Sequence, residues 1–301
     1  MTERMADEVE AISPIVIGVD FGESSGTGAQ WVADQFPGAE LVLVHAVHVP
    51  EPAAFIVRAM SSAPTDVRET ARRGAEVRLR EIAGQLTARQ IRVDPRVGEP
   101  ASAIVATAEA SEAALIVVGE HGHHTGLRRL LGSTAERVVH AAHAPVLVAR
   151  ALPSAGARRL LVAIDDTPLT DTIIAWTARL ARRWSASVVL SYIIAPVSGG
   201  ATENRTRIPK NQLEPDALRA AADAWLDGHA AGLRASGVDV TTMARFGAPA
   251  AELLDLATEV NADLLVVGRR RPERMAPTLI GTVTNRLVRQ GTLPVLVIPE
   301  P

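Results

Sequence analysis

The sequence predicts an α/β fold made of two tandem, similar domains, each with a five-stranded parallel sheet. Three observations lead to this prediction. Matching segments occur twice along the chain, strand-like and helix-like patterns alternate within each copy, and the strand-like segments are short continuous apolar runs. Such runs are typical of strands whose two faces are both covered by helices.

The internal repeat spans nearly the whole chain. "IVIGVDFGESSGTGAQWVA" (15–33) aligns with "LLVAIDDTPLTDTIIAWTA" (160–178), so that Asp20 matches Asp165 and Trp31 matches Trp176. Further on, "RVGEPASAIVATA" aligns with "RFGAPAAELLDLA", "ALIVVGEHG" with "DLLVVGRRR", and "HAPVLVAR" with "TLPVLVIP". Because the matching segments occur in the same order in both halves, the sequence predicts two copies of one domain, residues 1–152 and 158–301.

The first copy reads as alternating strands and helices, and the second copy repeats the order. Helices are predicted through Trp31, over an amphipathic stretch that contains Val77, from Pro100, and over Ser133–Ala142. In the second copy, residues 195–217 are rich in Gly, Pro, Asn and Thr, which indicates a mobile surface loop. The predicted strands of the first copy are Ile15–Val19, Leu41–Val47, Ile91–Arg96, Leu115–Val118 and Val146–Ala149.

The composition excludes several classes of protein. The chain has 301 residues, 47% of them apolar and 22% charged, which fits two globular domains. A net charge of −3 without a basic face argues against a nucleic-acid partner. The absence of cysteine excludes disulfides, thiolate catalysis, iron–sulfur clusters and Cys-based zinc sites.

The sequence also carries no targeting or membrane signal. The start, "MTERMADEVE", is acidic and polar, unlike a signal peptide, and no apolar run is long enough for a membrane span. We therefore expect a cytoplasmic protein without a membrane partner. Lys210, in "IPKNQ", has no Gly-Lys-Ser/Thr context, so a Walker-type phosphate loop is excluded.

A ligand site is predicted where the first and fourth strands end. Ligands of open α/β sheets bind beyond the carboxyl ends of strands, where the strand order reverses. Asp20 and Gly119 face one crevice if these two strands are neighbours. Gly122 allows close backbone approach, and Gly132-Ser133 opens a helix whose free N–H groups favour an anion. A crevice with an anion site indicates a nucleotide.

These residues carry a family resemblance. Gly119-x-x-Gly122, nine residues and Gly132-Ser133 resemble the nucleotide pattern of the universal stress protein family. Family members of the ATP-binding type show Gly-x-x-Gly, nine residues and Gly-Ser/Thr. "GVD" ending at Asp20 and "APVLVAR" at the last strand also resemble that family. The resemblance covers almost the whole chain, twice over.

The resemblance implies roles for individual residues. Asp20 would contact adenine and Ala46 would line the adenine pocket. Residues expected to hold ribose and phosphates are Gly119, Gly122, Gly132 and Ser133, with Val118 and Thr134 beside them. The implied ligand is ATP or another adenine nucleotide, with Mg²⁺ on its phosphates.

The resemblance also has implications for architecture. The family fold is Rossmann-like, of the adenine nucleotide alpha hydrolase type, with strand order 3-2-1-4-5. Family members pair their last strands between domains, so we expect the two halves to pair within one chain, related by a pseudo-two-fold axis. Pairing would also cover apolar edge strands. Whether the whole chain forms a homodimer, and which protein partners it has, stays open.

The second copy departs from the pattern at one position. Asp165, Gly268, Gly281 and Thr282 match, but Arg271 replaces the second glycine. A residue with a Cβ pays roughly 1 kcal/mol or more in backbone angles that suit glycine. Its guanidinium could instead fill the phosphate site or bind phosphate. We expect a lost or weakened second site, and the stronger site in the first domain.

Several features near the site have simpler explanations. Ser133 to Glu136 reads as a capping box, with Ser133 as N-cap. Three loop histidines lack a completing carboxylate or cysteine, which favours a solvated loop over a metal site. The paired arginines of the same loop are typical of surface positions. These loop residues are His121, His123, His124, Arg128 and Arg129.

Two enzyme-like patterns compete with the nucleotide interpretation. "GESSG" (22–26) matches the G-x-S-x-G nucleophile elbow, which would make Ser24 a hydrolase nucleophile. The second copy shows no trace of it, and the hydrolase fold has no tandem repeat. "GTG" (26–28) begins a Rossmann fingerprint, but Trp31 takes the third glycine position, so that match fails.

The sequence therefore favours a nucleotide-binding regulatory protein of the stress response. No catalytic group is assigned, although slow ATP hydrolysis is compatible with aligned backbone donors and Mg²⁺. Two alternatives stay open: a nucleotide-free scaffold that acts through its surfaces, and a serine hydrolase that uses Ser24.

Overall fold

A computed structural model describes residues 12–48, 67–120, 132–195, 215–270 and 282–300, with backbone alone at residues 23, 24 and 282. The chain divides into two compact units at the Arg150–Ala151 junction. We call them the first and the second domain, and each is described by itself.

The first domain alternates strands and helices along the chain. Its strands are β1 (Ile15–Gly18), β2 (Glu40–Val47), β3 (Gln90–Val97), β4 (Leu115–Gly119) and β5 (Val146–Ala149). Its described helices are α1 (Glu23–Gln35), α2 (Val67–Ala83), α3 (Pro100–Ala110) and α4 (Ser133–Ala141).

The second domain repeats this order. Its strands are β6 (Arg159–Ala163), β7 (Ser187–Ile194), β8 (Val240–Phe246), β9 (Leu264–Arg269) and β10 (Val295–Pro299). Its described helices are α5 (Leu169–Trp184), α6 (Pro215–Ala235), α7 (Pro249–Glu259) and α8 (Thr282–Gln290).

Each domain has a parallel sheet with the predicted strand order. In the first domain the order is β3-β2-β1-β4-β5, and in the second it is β8-β7-β6-β9-β10. The central strand β1 pairs with β2, Ile15 opposite Leu41, and with β4, Ile15 opposite Leu115. In the second domain Leu160 lies opposite Val188 and Leu264. All these pairs are parallel, as alternation of strands and helices requires.

The sheets are buried because their strands are apolar on both faces. Ile15, Leu41 and Leu160 have no exposed surface. Trp31 and Trp176 are 8% and 7% exposed, so the matching tryptophans pack in the core as expected. Pro100 and Pro249 occupy the first turns of α3 and α7, where the missing N–H costs nothing.

The buried face of α2 differs from the predicted one. Ala75 and Leu79 are buried, whereas Val77 is 54% exposed. Val77 lies two residues from both of them, about 200° around the helix, so it points away from the sheet. The proposed loop 195–217 is also shorter than expected, because α6 already begins at Pro215; residues 196–214 lie outside the described part.

None of the helices in the described ranges combines the length and the apolar character that crossing a bilayer requires.

Candidate functional site

The crevice predicted in the first domain lies where the direction of the sheet order changes. β1 and β4 are neighbours, and the chain leaves them for opposite edges of the sheet, through β2 and through β5. Asp20 therefore follows one strand and Gly119 ends the next at the same edge. This is the switch point at which open α/β sheets bind ligands.

Asp20 is held in place by the turn that follows β1. The backbone N–H of Gly22 donates to Asp20 Oδ1 at 2.9 Å. A Cβ at position 22 would lie 3.1 Å from that oxygen, so the turn is close to the carboxylate. Among the described residues, no arginine or lysine pairs with Asp20, and no hydrogen bond reaches Oδ2. One oxygen is thus used by the turn, and the other can accept from a ligand.

Three side chains that the sequence analysis did not single out form a stack beside Asp20. The rings of Phe21 and His45 have centroids 4.2 Å apart, and the Arg78 guanidinium carbon lies 3.9 Å from the centre of the Phe21 ring. Phe21 has φ 63°, an uncommon left-handed value for a residue with a side chain. His45 directly precedes Ala46, so the stack borders the predicted adenine-pocket position.

The surroundings of His45 favour its neutral form, because burial lowers the pKa of the ring. Its Nδ1 lies 2.7 Å from the Val19 carbonyl oxygen, which can only accept, so Nδ1 carries the proton. Burial is the largest influence and lowers the pKa of His45; the Arg78 charge acts in the same direction, and the Val19 hydrogen bond and Asp20 oppose it. The ring therefore fixes the end of β2 against the β1 turn without adding a charge.

A cleft of about 260 Å³ opens next to the stack, between the start of α1 and the second half of α2. Its lining combines the Phe21 ring with charged and polar side chains of α2 and the turn after it. The lining residues are Phe21, Gly22, Gly26, Arg78, Glu81, Ile82 and Gln85.

A backbone hydrogen bond connects the two ends of the loop that carries the glycine pattern. The Gly132 N–H donates to the Glu120 carbonyl at 2.8 Å, which joins the residue after β4 to the residue before α4. Val118 is buried and Gly119 half-buried at the end of β4. The structure thus brings Gly119, Gly132 and Ser133 together, while Gly122 lies outside the described residues.

The predicted capping box at α4 is wrong by one residue. Gly132, not Ser133, is the N-cap, with extended backbone angles of φ −62° and ψ 141°. Its carbonyl accepts the first helical hydrogen bond, from Glu136 N–H at 3.1 Å. Ser133 is therefore the first helical residue and its side chain is exposed, with Thr134 half-buried behind it. The Ser133 hydroxyl is free of the capping role that the sequence suggested.

An ion pair between a buried arginine and a partly exposed glutamate supports the end of β4. Arg150 Nε lies 3.6 Å from Glu120 Oε1, and the Arg150 side chain is only 2% exposed. Burial lowers the pKa of Arg150, and the Glu120 charge opposes that shift. Glu120 N–H also donates to the Ala149 carbonyl at 3.1 Å, so β4 and β5 leave the sheet together.

The second domain brings the corresponding residues to the same edge of its own sheet. Asp165 follows β6, and Gly268 lies near the end of the neighbouring β9. Thr284 Oγ1 donates to the Gly268 carbonyl at 2.8 Å, which ties α8 to the end of β9. Thr282 is the first residue of α8, whereas Gly281 and Arg271 lie outside the described residues.

Both oxygens of the Asp165 carboxylate are engaged, in contrast to Asp20. Thr167 Oγ1 donates to Oδ1 at 2.6 Å, and the Arg270 guanidinium forms an ion pair with Oδ2. Arg270 lies in the aligned segment "DLLVVGRRR", to which the sequence analysis gave no role in contacting Asp165. The two residues are 105 positions apart, and only the sheet order brings them together.

The geometry of the β1–α1 connection bears on the hydrolase alternative. The turn is made by residues 20–22, and α1 already includes Ser24 in its first turn. A nucleophile elbow places its serine at the strand-to-helix turn itself. The position of Ser24 within the helix argues against that assignment. The loop histidines and arginines, His121 to Arg129, lie outside the described residues.

Comparisons with known proteins agree with this architecture. The model of the universal stress protein family matches residues 11–150 and again residues 156–299. A universal stress protein of Mycobacterium tuberculosis is 24% identical over 66% of this chain and 70% of its own length. One from Mycolicibacterium smegmatis is 23% identical over 94% of this chain and 96% of its own.

A solved structure is similar over both domains. The crystal structure of a universal stress protein from Archaeoglobus fulgidus covers 96% of this chain and 96% of its own, with a TM-score of 0.68 and 19% identity. This likeness shows the fold. Together with two family matches that span nearly the whole chain, it means that the protein belongs to the universal stress protein family and carries two tandem copies of the family's domain.

Proposed function

We propose that the protein binds an adenine nucleotide, ATP foremost, in the first domain and acts as a nucleotide-dependent regulatory protein of the stress response. The observation that carries this proposal is the Asp20 Oδ2 acceptor, to which none of the described residues donates, at the switch point beside Gly119 and the start of α4. Adenine presents an amino donor at N6, which suits a carboxylate oxygen.

The other half of the site suits the phosphates. α4 begins at Ser133 behind an extended glycine, so the first backbone N–H groups of the helix face the same edge as Asp20. Helix N-termini favour anions through these groups and the helix dipole. Mg²⁺ would accompany the phosphates and neutralise part of their charge.

The proposed activity is binding and not rapid turnover. Backbone donors and a phosphate-bound Mg²⁺ stabilise phosphate charge, and hydrolysis at such a site would be slow. Fast phosphate release from ATP would contradict this part of the proposal.

Calorimetric titration of nucleotide-stripped protein with ATP tests the proposal, with Asp20→Asn as the diagnostic variant. The Gly22 N–H keeps its bond only to the amide oxygen, so the amide NH₂ turns toward the place of Oδ2. A donor then meets the adenine amino donor, and we expect ATP affinity to fall about tenfold or more.

The second domain supplies the matched control. Asp165→Asn makes the same change at the corresponding position and is expected to leave first-domain binding unchanged. GTP, which presents an acceptor at O6 in place of the amino donor, should bind about tenfold more weakly than ATP. Equal loss in both aspartate variants, or no heat with any nucleotide, would contradict the proposal and favour a scaffold.

A further inference from the structure

We propose that Arg270 biases adenine binding toward the first domain: it occupies the carboxylate of Asp165 and so weakens binding of an adenine base in the second domain by up to about fivefold. This inference rests on the proposed function. It names a residue other than Arg271 as the cause of the difference between the domains.

The two aspartates can be compared oxygen by oxygen. Gly22 and its counterpart Thr167 hold the aspartate two positions earlier in the same way. The Gly22 N–H and the Thr167 hydroxyl each donate to Oδ1 of that aspartate. The difference lies at Oδ2. Arg270 pairs with it in the second domain, while among the described residues nothing donates to it in the first.

Arg270 is a direct competitor for the adenine amino group. A guanidinium and an amino group are both donors, and Oδ2 of Asp165 would have to release the one to accept the other. Arg270 immediately follows β9, the neighbour of β6, which places its side chain close enough to pair with the carboxylate that follows β6. Domain 1 carries His121 at the corresponding position, a shorter side chain without a permanent charge.

The exposure of the pair sets the size of the effect. The side chains of Arg270 and Asp165 are 43% and 39% exposed, so water and salt weaken their attraction. Exposed pairs of this kind shift an equilibrium by up to about fivefold. A ligand that must displace the arginine binds only molecules in which the ion pair is broken. Its apparent affinity is therefore the intrinsic affinity multiplied by the fraction of molecules without the pair.

Adenosine is the sharpest probe, because it tests the base contact without involving the phosphates. The experiment uses the full chain carrying Asp20→Asn, in which first-domain binding is weakened about tenfold or more, so that the tighter remaining site is the one in the second domain. Adding Arg270→Ala should strengthen adenosine binding about fivefold. Arg182→Ala, which removes an exposed arginine elsewhere in the second domain, should leave it unchanged within twofold.

Salt provides a second measurement that a loss of folding cannot imitate. Raising NaCl screens the Arg270–Asp165 pair, so adenosine should bind the second domain of the Asp20→Asn chain more tightly at 1 M than at 0.05 M salt. With Arg270→Ala added, this salt dependence should disappear.

The possible failures can be told apart. Unchanged adenosine affinity in a folded Arg270→Ala chain overturns the inference, and so does a wild-type chain that fills two sites with equal affinity. In both cases ATP binding in the first domain, and with it the proposed function, stands. If neither the wild-type chain nor any variant binds ATP or adenosine, the proposed function fails and this inference fails with it.

Discussion

Gly268 shows how little room single positions leave at the edge of the second sheet. A Cβ built there would lie 2.6 Å from Leu169 Cδ2 and 3.1 Å from Ile173 Cδ1. Both neighbours are buried, at 4% and 2% exposure, so neither can move without disturbing the core. The absence of a side chain at Gly268 allows α5 to pack closely against β9, and this packing role is independent of any contact with a ligand.

Gly268→Ala should therefore destabilise the second domain by about 1–3 kcal/mol, since added volume in a packed core forces side chains from their preferred rotamers. Urea denaturation measures the effect. Gly228→Ala, in α6 with open space around the new methyl group, is the matched control and should stabilise by about 0.5–1 kcal/mol. A Gly268→Ala protein as stable as the wild type would show that the core yields at this point.

The location of a single residue, though not its role, could be predicted where its place along the chain fixes it. Asp20 follows β1 and Gly119 ends the neighbouring β4, so the strand order places both at one edge of the sheet. The stack of Phe21, His45 and Arg78 could not be read from the sequence, because its members come from three separate elements. The Arg270–Asp165 pair was missed for the same reason, and the roles assigned to Gly122 and Arg271 stay predictions.

At the scale of elements, α3 and α7 show how the two copies begin the same helix differently. Glu99 is the N-cap of α3, and its carboxylate accepts from the backbone N–H groups of Ala101 and Ser102 at 3.0 and 2.8 Å. Arg137 of α4 pairs with the same carboxylate at 3.1 Å. The matching cap of α7 is Ala248, which has no side-chain acceptor. The first domain thus has a charged cap that the second lacks.

Glu99→Ala should cost about 0.5–2 kcal/mol of stability at neutral pH, the range for loss of an N-cap. Partial burial raises the pKa of Glu99, but the Ala101, Ser102 and Arg137 interactions outweigh it and hold the pKa below its ordinary value of 4.5. The folded state therefore binds fewer protons than the unfolded state. The stabilisation is complete above pH 4.5 and is lost as the pH falls through the lower folded value.

Denaturant unfolding at pH 7 and at pH 3 checks both the size and the sign. The difference between wild type and Glu99→Ala should shrink at the lower pH. Glu109→Ala, at an exposed position near the end of the same helix, should change stability by less than about 0.5 kcal/mol at pH 7. A Glu99 effect that grows as the pH falls would contradict the ionised cap.

Most elements were predictable because their patterns are local. Apolar runs located the first-domain strands to within one residue at each end, and β5 was predicted with the observed bounds. The buried face of α2 was less certain, because several alanines and Val77 fit more than one helical stripe. The α4 cap was misplaced because Gly132 and Ser133 are both good N-caps, and backbone geometry decides between them.

At the scale of the whole molecule, the repeated sequence yields two domains of one fold whose corresponding side chains make different contacts. The duplication predicted two domains of one fold class, which the two family matches confirm. The family resemblance implied the strand order, which the structure shows in both domains. What each copy binds depends on side chains that differ between them, such as Glu99 and Ala248, or Gly22 and Thr167. Divergence of this kind allows one domain to bind nucleotide while the other keeps the fold.

Hydrogen exchange should show this inequality. With ATP at one hundred times its dissociation constant, opening of the first domain becomes less favourable by about 2.7 kcal/mol, and its slowest amides should exchange about one hundred times more slowly. Peptides from β1, β4 and α4 should show the strongest protection. Protection confined to peptides of residues 159–300 would show that the nucleotide binds the second domain, which would contradict the proposed first-domain site.

The most direct measurement of the central claim is the nucleotide content of the freshly purified protein. The protein is denatured, the released small molecules are identified by mass spectrometry, and the stripped chain is then titrated with ATP to count its sites. We predict an adenine nucleotide among the released molecules and one tighter ATP site per chain, weakened about tenfold or more in Asp20→Asn and unchanged in Asp165→Asn. A chain that releases no nucleotide and gives no heat with ATP would contradict the account and leave a scaffold of two nucleotide-free domains.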